Sequence, residues 1–121
     1  MASEQSRPDP DADGDARIAA VGRALGHPAR LGILRLLLRE GPLSAGEIVA
    51  EIGLAQSTVS EHLRLLKEAG VVIARHERPR VIHALYPAGL DPIAAFLLDI
   101  LEDPDAADAA ARMTAGAPGH G

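Results

Sequence analysis

The chain has no cysteine, and its 121 residues include one tyrosine and one phenylalanine. Without cysteine there is no disulfide, no thiolate metal site and no cysteine nucleophile. Aromatics make up 2% of a sequence that is 47% hydrophobic. The core must therefore be built from Leu, Ile, Val and Ala, which suits packed helices better than an aromatic-rich sandwich. No apolar run approaches the roughly 20 residues that a membrane span needs. The opening MASEQSRPDPDADGD is acidic and polar, unlike a secretory signal. These absences predict a cytoplasmic protein with no membrane partner. A Gly-rich phosphate loop, HExxH and GxSxG are also missing, so no enzyme is expected.

The formal net charge of -5 argues against a nucleic-acid partner until its distribution is read. Residues 1–15 hold one Arg against five acidic residues, and residues 90–121 hold one Arg against six. Between them, residues 16–89 hold ten Lys/Arg against six Glu. The middle is basic and both ends are acidic. A phosphate backbone responds to that local field, not to the total.

Residues 1–14, rich in Asp, Pro and Ser, read as a disordered acidic arm. One domain is expected over residues 15–113, followed by a flexible tail, 114–121. The first helix is predicted from Asp15 to Leu25, with Ile18, Val21 and Leu25 on one face. Gly26 and His27-Pro28 break it. The second helix starts at Pro28, is apolar over most of its circumference, and stops at Gly41-Pro42. Ser44 and Glu47 form a capping box for a short helix that ends at Gly53. A further helix, Gln56 to Ala69, is closed by Gly70 and buries Val59, Leu63 and Leu66. The period then changes. Val71–Ala74 and Val81–Tyr86 read as strands around the basic tip Arg75-His76-Glu77-Arg78-Pro79-Arg80. A last apolar helix begins near Asp91-Pro92, and an Ala-rich one runs from Asp103-Pro104 to about Met113.

The expected fold is mainly α with a small β-hairpin. Two short helices joined by a tight turn, a buried helix before them and a basic hairpin after them give a winged helix-turn-helix plan. The outward face of the second short helix presents Gln56, Ser57, Ser60, Glu61, Arg64 and Lys67. Gln, Ser and Arg are side chains that bond base edges and phosphates in a major groove. Small residues at this helix N-terminus let the backbone approach DNA and aim its positive dipole end at phosphate. Read alone, the same face fits a solvated surface as well as a DNA-reading one; the basic hairpin behind it favours DNA. Ala55 caps the helix less well than Ser or Thr would.

The stretches ALGHPARLGILRLL, QSTVSEHLRLLKEAGVV and RPRVIHALYP, between Ala24 and Tyr86, resemble the ArsR/SmtB family of bacterial repressors. The resemblance covers about the middle two-thirds of the chain. It implies a dimer whose outer helices pair, a reading helix in each of two successive major grooves, and release from a double-stranded DNA operator when an effector binds. By resemblance, Gln56, Ser57, Thr58, Ser60 and Arg64 contact DNA, with Arg75, Arg78 and Arg80 on the wing. One family metal site uses a Cys-x-Cys pair, and the corresponding positions here are Ser44 and Gly46. The other uses Asp and His on the last helix, which here carries Asp91, Asp99, Glu102 and Asp103 without His. The wing has Pro79 in place of the family's glycine.

A nickel, zinc or cobalt effector held by His, Asp and Glu stays open, with Asp11 or Asp13 of the arm as conceivable ligands. So does an organic effector, or none. His27 is expected to pack or cap at a helix junction and His62 to be structural. His76 lies in the wing, His83 could face either side of its strand, and His120 is in the tail. The apolar stripe Ile93, Phe96, Leu97, Ile100 and Leu101 is too wide for a small core to cover. It reads as a homodimer interface shared with Ile18 and Val21, against the alternative of packing within one domain. The functional expectation is a repressor of an inverted-repeat operator. The competing expectation is a winged-helix adaptor that binds protein only.

Overall fold

A computed structural model describes residues 12–116. The expected arm up to Asp11 and the tail from residue 117 lie outside the described residues. Helix α1 spans Ala12–Leu25 and α2 spans Pro28–Glu40, followed by the two-residue strand β1, Leu43–Ser44. Helix α3, Ala45–Ile52, and helix α4, Gln56–Glu68, make the helix-turn-helix. Strands β2, Val72–Glu77, and β3, Arg80–Leu85, make the hairpin. A 3-10 turn, Pro87–Leu90, leads into α5, Asp91–Leu101, and α6, Pro104–Ala115. The arrangement is a winged helix-turn-helix.

Local chemistry sets most of these boundaries. The His27 Nδ1 accepts from the Ala29 amide at 3.0 Å and caps α2, with Pro28 in its first turn. Arg30 reaches back to the end of α1, donating to the Ala24 carbonyl at 2.8 Å and the Arg23 carbonyl at 3.0 Å. The Arg23 carbonyl also accepts from the Gly26 amide at 3.1 Å, so Arg30 and that backbone turn together close α1 and fix the α1–α2 corner. The capping box at α3 is complete. Ser44 Oγ accepts from the Glu47 amide at 3.2 Å, and the Glu47 carboxylate accepts from the Ser44 amide at 2.8 Å. Gly53, at φ 82°, closes α3 in the left-handed region. Ser44→Ala should cost about 1 kcal/mol, seen as a lower denaturant midpoint with an unchanged slope.

The core joins Val21 and Ala24 of α1, Ile33, Leu36 and Leu37 of α2, Ile48 of α3, and Val59, Leu63 and Leu66 of α4. Val71 and Val72 complete it from the start of the hairpin. The expected inner face of α4 is therefore its inner face in the structure. Helix α2 is less enclosed than its composition predicts: Leu31 and Leu34 are half-buried and Leu38 is 76% exposed.

Several expectations are corrected here. Helix α1 starts at Ala12, three residues before the predicted Asp15, so Asp13 belongs to its first turn. Helix α6 includes Thr114 and Ala115, which had been assigned to the tail. The hairpin strands extend into the stretch read as a loop. Register runs from Val72 opposite Leu85 to Glu77 opposite Arg80, leaving only Arg78-Pro79 as the turn. Strand β1 pairs with β3, Leu43 opposite His83 and Ser44 opposite Ile82, so β3 is the central strand. Val21 is 1% exposed and belongs to the protomer's own core, because α1 packs on α2, α4 and α5. It is unavailable to a second copy. Ile93 is half-buried against the same core, and Ile18 is half-buried in a crevice that Phe96 also lines.

Candidate nucleic-acid interface

Helix α4 stands with Val59, His62, Leu63 and Leu66 inward. The opposite face is necessarily outward at this period. Gln56, Ser57, Thr58, Ser60 and Arg64 are all exposed. The first three occupy the opening turn, whose amides are free of side-chain caps because Ala55 offers none. Those unpaired amides and the positive end of the helix dipole together favour an anion.

Arg64 is not idle in the free protein. Its guanidinium donates to both Glu61 oxygens, at 3.0 and 2.5 Å, and to Glu68 at 2.5 Å. These bonds raise the Arg64 pKa further and lower that of Glu61. Glu68 had not been singled out from the sequence, although its i,i+4 spacing from Arg64 is the signal for such a pair. For Arg64 to reach DNA it must exchange two carboxylates for a base edge or phosphate.

The wing residues Arg75, Arg78 and Arg80 are exposed on one hairpin. Arg75 pairs with Glu77, and Arg80 lies 3.8 Å from Glu47 at the start of α3. No ion pair to Arg78 is found among the described residues. The structure thus carries an exposed polar helix face and a basic hairpin tip on one domain, with α3 bonded to the wing through Arg80.

Two buried histidines flank α4. His62 is 8% exposed, its ring centroid 4.7 Å from that of His27. Its Nδ1 lies 3.3 Å from Arg30 Nη1. Arginine can only donate, so Nδ1 is the acceptor in this contact, which favours the neutral ring. Burial lowers the His62 pKa, with the charges of His27 and Arg30 adding to the effect and Glu61 opposing it. His83, 4% exposed, faces inward from β3. Burial and then Lys67 lower its pKa, against a hydrogen bond to Leu43.

Both folded-state values lie below the ordinary 6.5. The unfolded chain therefore takes up protons first as pH falls. The stability contributed is complete above pH 6.5 and is lost on descending through the folded-state values. The melting temperature should fall with acidification below that point. A His62→Gln, His83→Gln double variant should lose less on the same descent; an equal loss would assign the acid sensitivity elsewhere.

Metal donors do not converge. Among the described residues no three His, Asp or Glu side chains come together in a way that could hold a metal ion. Ser44 Oγ serves as a helix cap and Gly46 has no side chain, so neither fits a metal. Asp11 lies outside the described residues. No helix among the described residues is long and apolar enough to cross a membrane.

Helix α5 leaves Phe96, Leu97 and Leu98 exposed by 46 to 48%, Ile100 by 52% and Leu101 by 74%. Leu98 joins the stripe read from the sequence. The protomer covers Ile93 and leaves the rest open.

The model of the arsR family of bacterial regulatory proteins matches residues 27–74, from the cap of α2 into β2. The chain is 37% identical over 89 residues to the HTH-type transcriptional regulator NmtR of Mycobacterium tuberculosis, an alignment covering 74% of this chain and 70% of NmtR. It is 41% identical over 71 residues to the regulator CmtR of the same organism, 59% of each chain, so it spans less than two thirds of CmtR. The solution structure of a homodimeric winged helix-turn-helix DNA-binding domain from Mycobacterium bovis matches with a TM-score of 0.64 at 29% identity. That match covers 82% of this chain and 92% of the other.

Proposed function

Because this chain belongs to the ArsR family of bacterial regulatory proteins and is a transcriptional regulator with a winged helix, we propose that it is a homodimeric cytoplasmic repressor. In this reading it binds an inverted-repeat operator with half-sites about one helical turn apart. The observation that carries it is the outward face of α4. Gln56, Ser57, Thr58 and Ser60 stand exposed at an uncapped helix start, and a basic hairpin tip follows in the same domain. Gln56, Ser57, Thr58, Ser60 and Arg64 enter the major groove, and Arg75, Arg78 and Arg80 hold the flanking backbone. Pairing through the open face of α5 places two such helices on successive grooves. The M. bovis domain, itself homodimeric, supports a dimer.

The test is quantitative binding to genomic fragments over a salt series. Wild-type affinity should fall steeply with salt as phosphate contacts release counterions. Gln56→Ala should cost about 1–3 kcal/mol at its own base position. Arg78→Ala should weaken all sequences alike and flatten the salt slope by about one unit. Arg64→Ala should also weaken binding to all sequences, because it removes a cation and leaves Glu61 and Glu68 uncompensated beside the phosphates. Salt-insensitive or absent DNA binding would favour the protein-binding adaptor instead.

A further inference from the structure

We propose that the cavity between α2 and the end of the hairpin is a binding site for a small amphiphilic carboxylate. The apolar body lies on leucines and the carboxylate on Arg35. The cavity is about 320 Å³, within the roughly 300–1,000 Å³ range of small-molecule sites. Leu31, Leu34 and Leu38 of α2 form one wall, and Leu85 and Leu90 the other. Leu38, in the last turn of α2, stands 76% exposed at this site, an unusual position for a leucine of a helix otherwise packed on the core.

The charge at the site selects the occupant. Arg35 is the sole charged residue lining the cavity, and no acidic side chain lines it. Among the described residues no carboxylate pairs with Arg35. A neutral hydrocarbon would fill the space but shed part of the guanidinium's water without replacing its hydrogen bonds, and a cation would be repelled. A carboxylate replaces that water with charge-assisted bonds. The α5 residues assigned to pairing, Phe96, Leu97, Ile100 and Leu101, do not line the cavity.

Position gives the site its consequence, and that consequence rests on the repressor reading. Val71, which also lines the cavity, follows directly on the Gly70 turn that ends the reading helix. Its carbonyl accepts from the Tyr86 amide at 2.8 Å, tying the reading helix to the turn that starts α5. A ligand here touches the scaffold helix, the residue after the turn that follows the reading helix, and the lead into the pairing helix together. That is the contact set a coupling free energy between ligand and DNA requires.

The test titrates the purified full chain with octanoate and with octanol by calorimetry, in the absence of DNA. Its outcome is therefore independent of whether α4 reads an operator. Octanoate should bind about tenfold more tightly than octanol to wild type. In Arg35→Gln that preference should vanish while octanol binding is kept. In Leu38→Ser both should weaken. Equal affinity of the two ligands for wild type, or a preference that survives Arg35→Gln, would overturn the proposal. So would no saturable octanoate binding, or Leu38→Ser leaving both affinities unchanged.

Discussion

Gly89→Ala is expected to lower the melting temperature by roughly 12–24 °C, the largest stability effect of any glycine substitution among the described residues. A Cβ at this position would lie 1.8 Å from the Gly70 carbonyl oxygen, 2.7 Å from its carbon and 3.3 Å from the Val71 Cα. All three are backbone atoms, so no rotamer change relieves the clash. The 3-10 turn would have to lift off the end of the reading helix, straining the Tyr86 to Val71 hydrogen bond. Overpacking of this kind costs about 3 kcal/mol, and in a domain of this size each kcal/mol moves the midpoint by roughly 4–8 °C. Gly14→Ala is the control, since nothing lies within 4 Å of its added methyl. A melting temperature for Gly89→Ala equal to that of Gly14→Ala would mean that the close approach of the two turns is not present in solution.

The largest effect on binding is expected from Phe96→Glu combined with Ile100→Glu. The two residues lie one helical turn apart on α5, and both are already about half exposed in the protomer. The protomer fold should therefore tolerate both changes. A paired face should not, because two carboxylates from each copy would be buried against two from the other. The variant should sediment as a monomer with unchanged helical content. Operator affinity should fall by at least about 100-fold, since binding of the second half-site is no longer intramolecular. A variant that stays dimeric would move the interface away from α5. One that is monomeric yet binds the operator as wild type does would remove the dimer from recognition.

Most of the architecture was legible because its signals are local. The capping box at Ser44 and Glu47, the glycines that end α3 and α4, and the 3.6-residue spacing of Val59, Leu63 and Leu66 depend on a few neighbouring residues. What escaped depends on contacts distant in sequence. Strand β1 is two residues long, too short to show alternation, and exists only because β3 lies beside it. Ile93 shares an apolar stripe with truly exposed neighbours, while Val21 lies between the half-buried Ile18 and Leu25. A stripe shows that a face is buried without showing what buries it. For the candidate interface, the residues facing outward on α4 followed from periodicity alone. The double carboxylate grip on Arg64 did not, although both spacings were in view, because charges on a solvated helix face have many alternative partners. The inward direction of His83 was also undecided, since a strand of Val, Ile, His and Ala alternates without a clear polar side.

The scarcity of aromatic residues has a practical consequence. With no tryptophan and a single tyrosine, the ultraviolet emission of the whole protein comes from Tyr86. That residue is 46% exposed where the hairpin hands over to the 3-10 turn. The lone phenylalanine, Phe96, marks the open face of α5 in the same way. The molecule thus carries one intrinsic fluorophore at its central junction and one benzyl ring on the open face of α5. Motion at the first and burial at the second can each be followed by spectroscopy without introducing a label.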